Sequence, residues 1–175
     1  MAPKGLKTTS SPLQISSQVQ ETVLAQFISV EIPLTLNVLD NEVFVVTQLN
    51  IDCDAPTYPA VAGSSFVAAS LSSTERTTVG TISDSNVIGA AAREIVSGGT
   101  PPNIVAVAFE REDPLFAAIS EDYLGIVATN NMFLNLQCFN NQLDLKRARV
   151  RVYGYRASAG SSVYAALVQS ELLSS

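Results

Sequence analysis

Ile28-Ser29-Val30-Glu31-Ile32-Pro33-Leu34-Thr35-Leu36-Asn37-Val38 is the stretch on which the fold class turns. Every second residue is apolar, and none of the residues between is a large hydrophobe. That period of two marks a half-buried strand, whereas a helix repeats at 3.6. Pro33 has no amide to donate, so it belongs at a sheet edge or a bulge. Asp40-Asn41 signals a turn. Val43, Val45, Leu49, Ile51 and Cys53 then alternate again, with the pattern broken at Thr47. The two runs are expected to form a hairpin or to lie as neighbouring strands.

Outward from these runs the chain keeps the same character. Residues 54–64 hold two prolines and a glycine and read as a loop. Phe66–Ser72 and Arg76–Ile82 are β-prone runs flanking Ser73-Thr74-Glu75. Ala90-Ala91-Ala92-Arg93-Glu94 reads as a helical turn ended by Gly98-Gly99-Thr100-Pro101-Pro102. Ile104–Phe109 is a strand, and Glu110-Arg111-Glu112-Asp113-Pro114 a charged turn. Tyr123–Ala128 is a short strand before the Asn130-Asn131 turn. Met132, Leu134, Leu136 and Cys138 alternate up to Asn140-Asn141, and Arg147–Arg156 is the last long strand. About eight strands without intervening long helices disfavour a parallel βαβ plan. The predicted class is all-β: an eight-stranded antiparallel jelly roll or β-sandwich.

Both ends differ from this middle. Residues 1–22 are polar, rich in Ser, Thr and Gln, and are expected to be a flexible N-terminal arm that orders against a neighbour. The β domain is expected over 23–160. Over 161–175, Val163, Leu167 and Leu172 fit helical spacing and predict a short C-terminal helix. Glu171 lies near its end, where a negative charge opposes the helix dipole.

Composition narrows the functional classes. The 175 residues are 47% hydrophobic and only 15% charged, with a net charge of −6. So low a charge suits a protein that hides surface against copies of itself. Excess acid disfavours a dedicated nucleic-acid-binding domain. There is no run of 18–20 apolar residues, no apolar leader near the start, and no Asn-x-Ser/Thr sequon.

Reactive constellations are sparse. The chain has no histidine, so the commonest general base and metal ligand are absent. Asp52 and Asp54, and Glu110, Glu112 and Asp113, read as solvated turn acids rather than a glycosidase pair. Asp52 and Asp54 could offer hard oxygen ligands to calcium, though without EF-hand spacing. Cys53 and Cys138 fall on apolar phases and read as core residues, or as a disulfide if their strands adjoin. The expectation is a protein that is not an enzyme and uses no cofactor, metal or small-molecule substrate.

Five of the ten basic residues lie within Lys146-Arg147-Ala148-Arg149-Val150-Arg151-Val152-Tyr153-Gly154-Tyr155-Arg156. Arg149, Arg151, Tyr153 and Tyr155 share one face of this strand. Lys146, Arg147, Arg149, Arg151, Tyr153, Tyr155 and Arg156 are the candidate electrostatic contacts between subunits. The alternative is that the arginines pair with the protein's own acids. Val163, Leu167 and Leu172 are the candidate tail contacts.

Val150–Ala157, Tyr164–Leu173 and Asp122–Thr129, with Arg76–Thr81 in support, resemble segments of virion proteins encoded by aquatic viruses. The whole plan is similar to single-jelly-roll capsid proteins of tailless icosahedral viruses. The resemblance implies a capsid subunit that forms homo-oligomeric capsomers through lateral barrel contacts and exchange of arm and tail. It further implies other capsid proteins as partners, weak contact with the viral genome or an internal membrane, and assembly in the host cytoplasm into virions. The alternative is a glycan-binding β-sandwich, such as a virion spike or attachment protein, with its site on loops 54–64 and 98–103. The absence of Trp weighs against it.

Overall fold

The structure is a computed structural model that describes residues 5–59, 62–100, 103–112, 115–116, 123–141 and 144–173. The strands are β1 (Leu6–Thr8), β2 (Leu13–Gln20), β3 (Ile28–Pro33), β4 (Glu42–Cys53), β5 (Gly63–Ser72), β6 (Val87–Thr100), β7 (Asn103–Glu112), β8 (Leu115–Phe116), β9 (Gly125–Val127), β10 (Asn131–Phe139) and β11 (Arg147–Ala159). One helix, α1 (Ser161–Leu173), follows. The fold is mostly β, antiparallel throughout the described pairings, with a short C-terminal helix.

The strands form two sheets. In the first, β11 lies between β4 and the β1/β2 edge, and β8 and β9 pair with the far side of β4. The second has the order β3-β10-β5-β6-β7. Their facing sides share one core. Val19, Phe44, Val46, Leu49, Ile51, Val150 and Val152 come from the first sheet, and Val67, Leu71, Met132, Leu134 and Leu136 from the second. Cys53 and Cys138 are buried side by side with these residues in the same core. Burial, and then the neighbouring Glu21 carboxylate, push the Cys138 thiol far above its usual range.

Several expectations are corrected. The 28–38 run is a strand only to Pro33, and it lies in the opposite sheet from β4 rather than beside it. Leu34 and Leu36 are still buried, so the alternation records burial and not ladder pairing. Pro33 sits on an edge strand, where its missing donor costs no interior ladder bond. The predicted arm contains β1 and β2, both hydrogen-bonded along β11 of the same chain. Ile15 and Val19 point into the core, an alternation partly masked in the sequence by Ser17 between them.

Ala90–Glu94 is not a helical turn but part of β6, in register with residues 70 to 66 of β5. Cross-strand packing outweighs the helical preference of alanine. Arg76–Ile82 forms no strand. Residues 73–86 instead fold over part of the second sheet's outer face, where the Gly80 amide donates to Ser70 Oγ at 3.0 Å. Arg76 reaches Asn86 Oδ1 at 2.6 Å and Asp84 Oδ2 at 3.2 Å. Glu110–Glu112 of the expected charged turn extend β7, while residues 113–114 lie outside the described residues. The Tyr123–Ala128 strand is reduced to β9.

Thr47, where the alternation breaks, marks a change of face. Tyr153 pairs with Gln48 and Gly154 with Val46, so Thr47 is the extra residue of a β-bulge. Val43 and Val45 therefore lie on the outer face, while Leu49, Ile51 and Cys53 lie inside. The sequence pattern had grouped these five on one face. Opposite the bulge, a Cβ on Gly154 would stand 2.3 Å from the Val45 carbonyl oxygen and 2.8 Å from the Phe44 ring.

Candidate interaction surface

The outer face of the first sheet is divided in two. At one end α1 covers Val43, Val45, Ala128, Ala157 and Ala159 with Tyr164, Leu167 and Val168. At the other end the outward residues of β2, β11 and β4 stand in open rows. Gln18–Arg149–Asp52 form one row, Ser16–Arg151–Asn50 the next, and Gln14–Tyr153–Gln48 the third. The first two rows border a groove of about 730 Å³.

The basic block of β11 is split by this architecture. Arg147, Arg149 and Arg151 project outward and are exposed, with Tyr153 half-buried beside them. Tyr155 shares their face but lies at the α1 end, packed against the helix cluster. Arg156 points the other way and donates through Nη2 to Leu34 O at 3.0 Å and Thr35 Oγ1 at 2.9 Å, anchoring the segment after β3. Lys146 is buried. Its Nζ contacts Asp144 at 3.0 Å, and its amide donates to Glu21 Oε2 at 3.0 Å. Glu21 is equally buried, and nothing in its polar sequence context foretells that.

Arg149 pairs with acids of its own chain, through Nη1 to Asp54 Oδ1 at 2.9 Å and Asp52 Oδ2 at 3.5 Å. The Asp54 hydrogen bond and charge, and then Asp52, raise the Arg149 pKa further. Asp52 also meets Arg93 Nη2 at 3.3 Å, and Arg93 Nε meets Glu110 Oε1 at 2.6 Å. An ion-pair chain thus runs Asp54–Arg149–Asp52–Arg93–Glu110 from the first sheet to β7 of the second. Arg151 stands apart, between neutral Ser16 and Asn50. No described carboxylate pairs with it. Asp52 and Asp54, the candidate calcium ligands, are engaged by these guanidinium groups.

The tail contacts also divide. Leu167 packs on its own sheet, while Val163 is exposed at the margin and Leu172 is 64% exposed. Leu173 beside it is 79% exposed. Tyr164, Ala165, Val168, Leu172 and Leu173 line an open apolar groove on the helix. The helix is thus apolar on both its docked and its free side.

The second sheet's outer face carries a surface that the sequence reading did not assign. The stacked rings of Phe66 and Phe139, 5.6 Å apart, share this face with Val96 and with Val105, Val107 and Phe109 of β7, and Glu94 lies in register between Phe66 and Phe109. The signal was the large–small alternation Val105-Ala106-Val107-Ala108-Phe109, which marks one bulky face. No protein-family model matches the chain, and comparison with curated proteins finds no match.

Proposed function

We propose that this chain is a structural subunit of a virus shell, a single-jelly-roll coat protein that assembles with copies of itself. The observation that carries the reading is the pairing order. β2 pairs with β11, β3 with β10, β4 with β9 and β5 with β6. These four nested antiparallel pairs fall alternately in the first and second sheets. That is the order produced by rolling one long hairpin into a double-sheet jelly roll, the architecture of many coat proteins and some lectins.

Exposed apolar surface favours the coat reading over the sugar-binding one. Leu172, Leu173, Val105, Val107 and Phe109 stand largely in solvent in a single chain. Contiguous apolar surface of this kind is characteristic of protein–protein contact. The open groove over Arg149 and Arg151 is lined by polar and charged residues, without the broad aromatic platform that sugars stack on. In the coat reading the sandwich is a rigid block, and α1 and the second sheet's outer face meet neighbouring subunits.

Light scattering of the size-separated purified protein, followed by electron microscopy, tests this reading. Capsomers or closed particles are the expected outcome. A monomer at high concentration that binds immobilised glycans would overturn it in favour of an attachment module.

A further inference from the structure

We propose that β7 is a contact between two copies of this chain, joined edge to edge and antiparallel about a two-fold axis at Val107. This goes one step into the self-assembly reading and rests on it, since it names the surface and the register.

Three observations lead there. β7 is the terminal strand of its sheet, and no described strand pairs with its outer edge. The Tyr58 hydroxyl donates to the Ile104 carbonyl at 3.4 Å, near one end. Ile104–Phe109 carries no charge, no proline and no described bulge, the devices that blunt a free edge. Finally, Val105 is 71% exposed, Val107 54% and Phe109 56%, all on one face.

The side-chain pattern selects the second copy as occupant and fixes how it sits. With Val107 opposite its own copy, Val105 faces Phe109 of the second copy and Phe109 faces its Val105. Every bulky residue of the stripe then meets another. Arg111 falls opposite Asn103, and Glu110 opposite Ile104, so no like charges oppose one another. Sliding the register toward Phe109 sets Arg111 against Val105, and sliding further sets Arg111 against Arg111. Sliding the other way sets Phe109 against Asn103. A shift of one residue places the two stripes on opposite faces of the joined sheet. Glu110 is held on the other face by Arg93 at 2.6 Å, which keeps its charge off the stripe. The joined sheet would run through ten strands, with the two β7 stripes meeting at the axis.

Val107→Cys tests the register directly. Residues opposed across an antiparallel pair have Cα atoms about 4.5–5.5 Å apart, within the roughly 4.4–6.8 Å that a disulfide spans. Cys53 and Cys138 are buried, so the new thiol is the exposed one among them. Under mild oxidation the V107C protein is expected to become a covalent dimer as the major species. V105C is expected to stay at background, because its copy lies four residues, roughly 13 Å, along the strand. Val107→Lys, which opposes two like charges at the axis, is expected to reduce the assembled fraction at least tenfold while leaving the β-sheet circular dichroism unchanged. Assembly of the wild-type protein with no V107C cross-link, or equal cross-linking of V105C, overturns the β7 register and leaves self-assembly standing. A chain that is monomeric at all concentrations overturns both.

Discussion

The Glu171 carboxylate accepts hydrogen bonds from the Ala128 amide at 2.8 Å and, through its second oxygen, from the Thr129 amide at 3.1 Å. Ala128 and Thr129 follow β9 at the edge of the first sheet, so this contact ties the last turns of α1 to the sandwich. In sequence an acid near a helix C-terminus reads as a dipole penalty. In the fold it satisfies two backbone donors that would otherwise be orphaned.

Burial raises the Glu171 pKa above the usual carboxylate range, with the Ala128 and Thr129 hydrogen bonds opposing part of that rise. The folded state therefore holds this proton more tightly than the unfolded chain does. Its contribution is complete below about pH 4.5 and is lost as pH climbs through the raised folded value. Thermal unfolding followed from pH 4 to pH 8 is expected to show that decline, and Glu171→Gln to flatten it. Glu171→Ala is expected to cost about 1–3 kcal/mol by leaving buried amides unpaired.

Gly154→Ala should be among the most damaging single-methyl changes in the protein. Its Cβ would stand 2.3 Å from the Val45 carbonyl oxygen, which belongs to the backbone and cannot rotate away. A loss of roughly 1–3 kcal/mol, typical of overpacking, is expected in urea titration. Gly98→Ala, with no heavy atom within 4 Å of the added carbon, is the matched control.

Asp84 accepts from the Thr81 amide at 2.8 Å and pairs with Arg76 at 3.2 Å. The Thr81 hydrogen bond is the largest influence and, with Arg76, draws the Asp84 pKa below its ordinary value. Here the sign is the reverse of Glu171: the stabilisation is present above the unfolded pKa and lost as pH falls through the folded one. The protection factor of the Gly80 amide, which is bonded to Ser70, is expected to fall in Asp84→Asn and in wild type under acid.

Arg149 and Arg151 are two residues apart on one strand face but should respond differently. Arg149→Ala breaks exposed ion pairs and is expected to change stability only slightly, with the effect shrinking as salt is added. Arg151 has no described acidic partner, so Arg151→Glu should leave the melting temperature within a degree or two. If this polar face meets a neighbouring subunit, the same change lowers the assembled fraction; unchanged assembly would exclude the face from the contact.

Local pattern sufficed for the strand class, because alternation at Ile28–Ile32, Met132–Cys138 and Arg147–Val152 is imposed residue by residue by which face is wet. The same pattern announced Pro33 as an edge residue and both cysteines as core. It failed where a neighbour set the outcome. Ala90–Glu94 is a strand because β5 and β7 flank it. Residues 13–20 are a strand because β11 offers a free edge.

The candidate site was half legible for a related reason. Composition located the basic block, and periodicity put Arg149 and Arg151 on one face. Periodicity says nothing about what lies opposite, so Asp52 and Asp54 as partners of Arg149, and the burial of Lys146, came only with the register of β4 and β2 against β11.

By itself the chain determined that it would be built of strands, that it would turn at Asp40-Asn41 and Asn140-Asn141, and that an apolar helix would follow the last strand. Only the tertiary structure decided which sheet each strand joined, where Thr47 turned one alternating run into two faces, and which edge stayed unpaired. The division follows from range. Turns and side-chain alternation depend on neighbours within a few residues, whereas sheet order and register depend on contacts between segments as distant as β2 and β11.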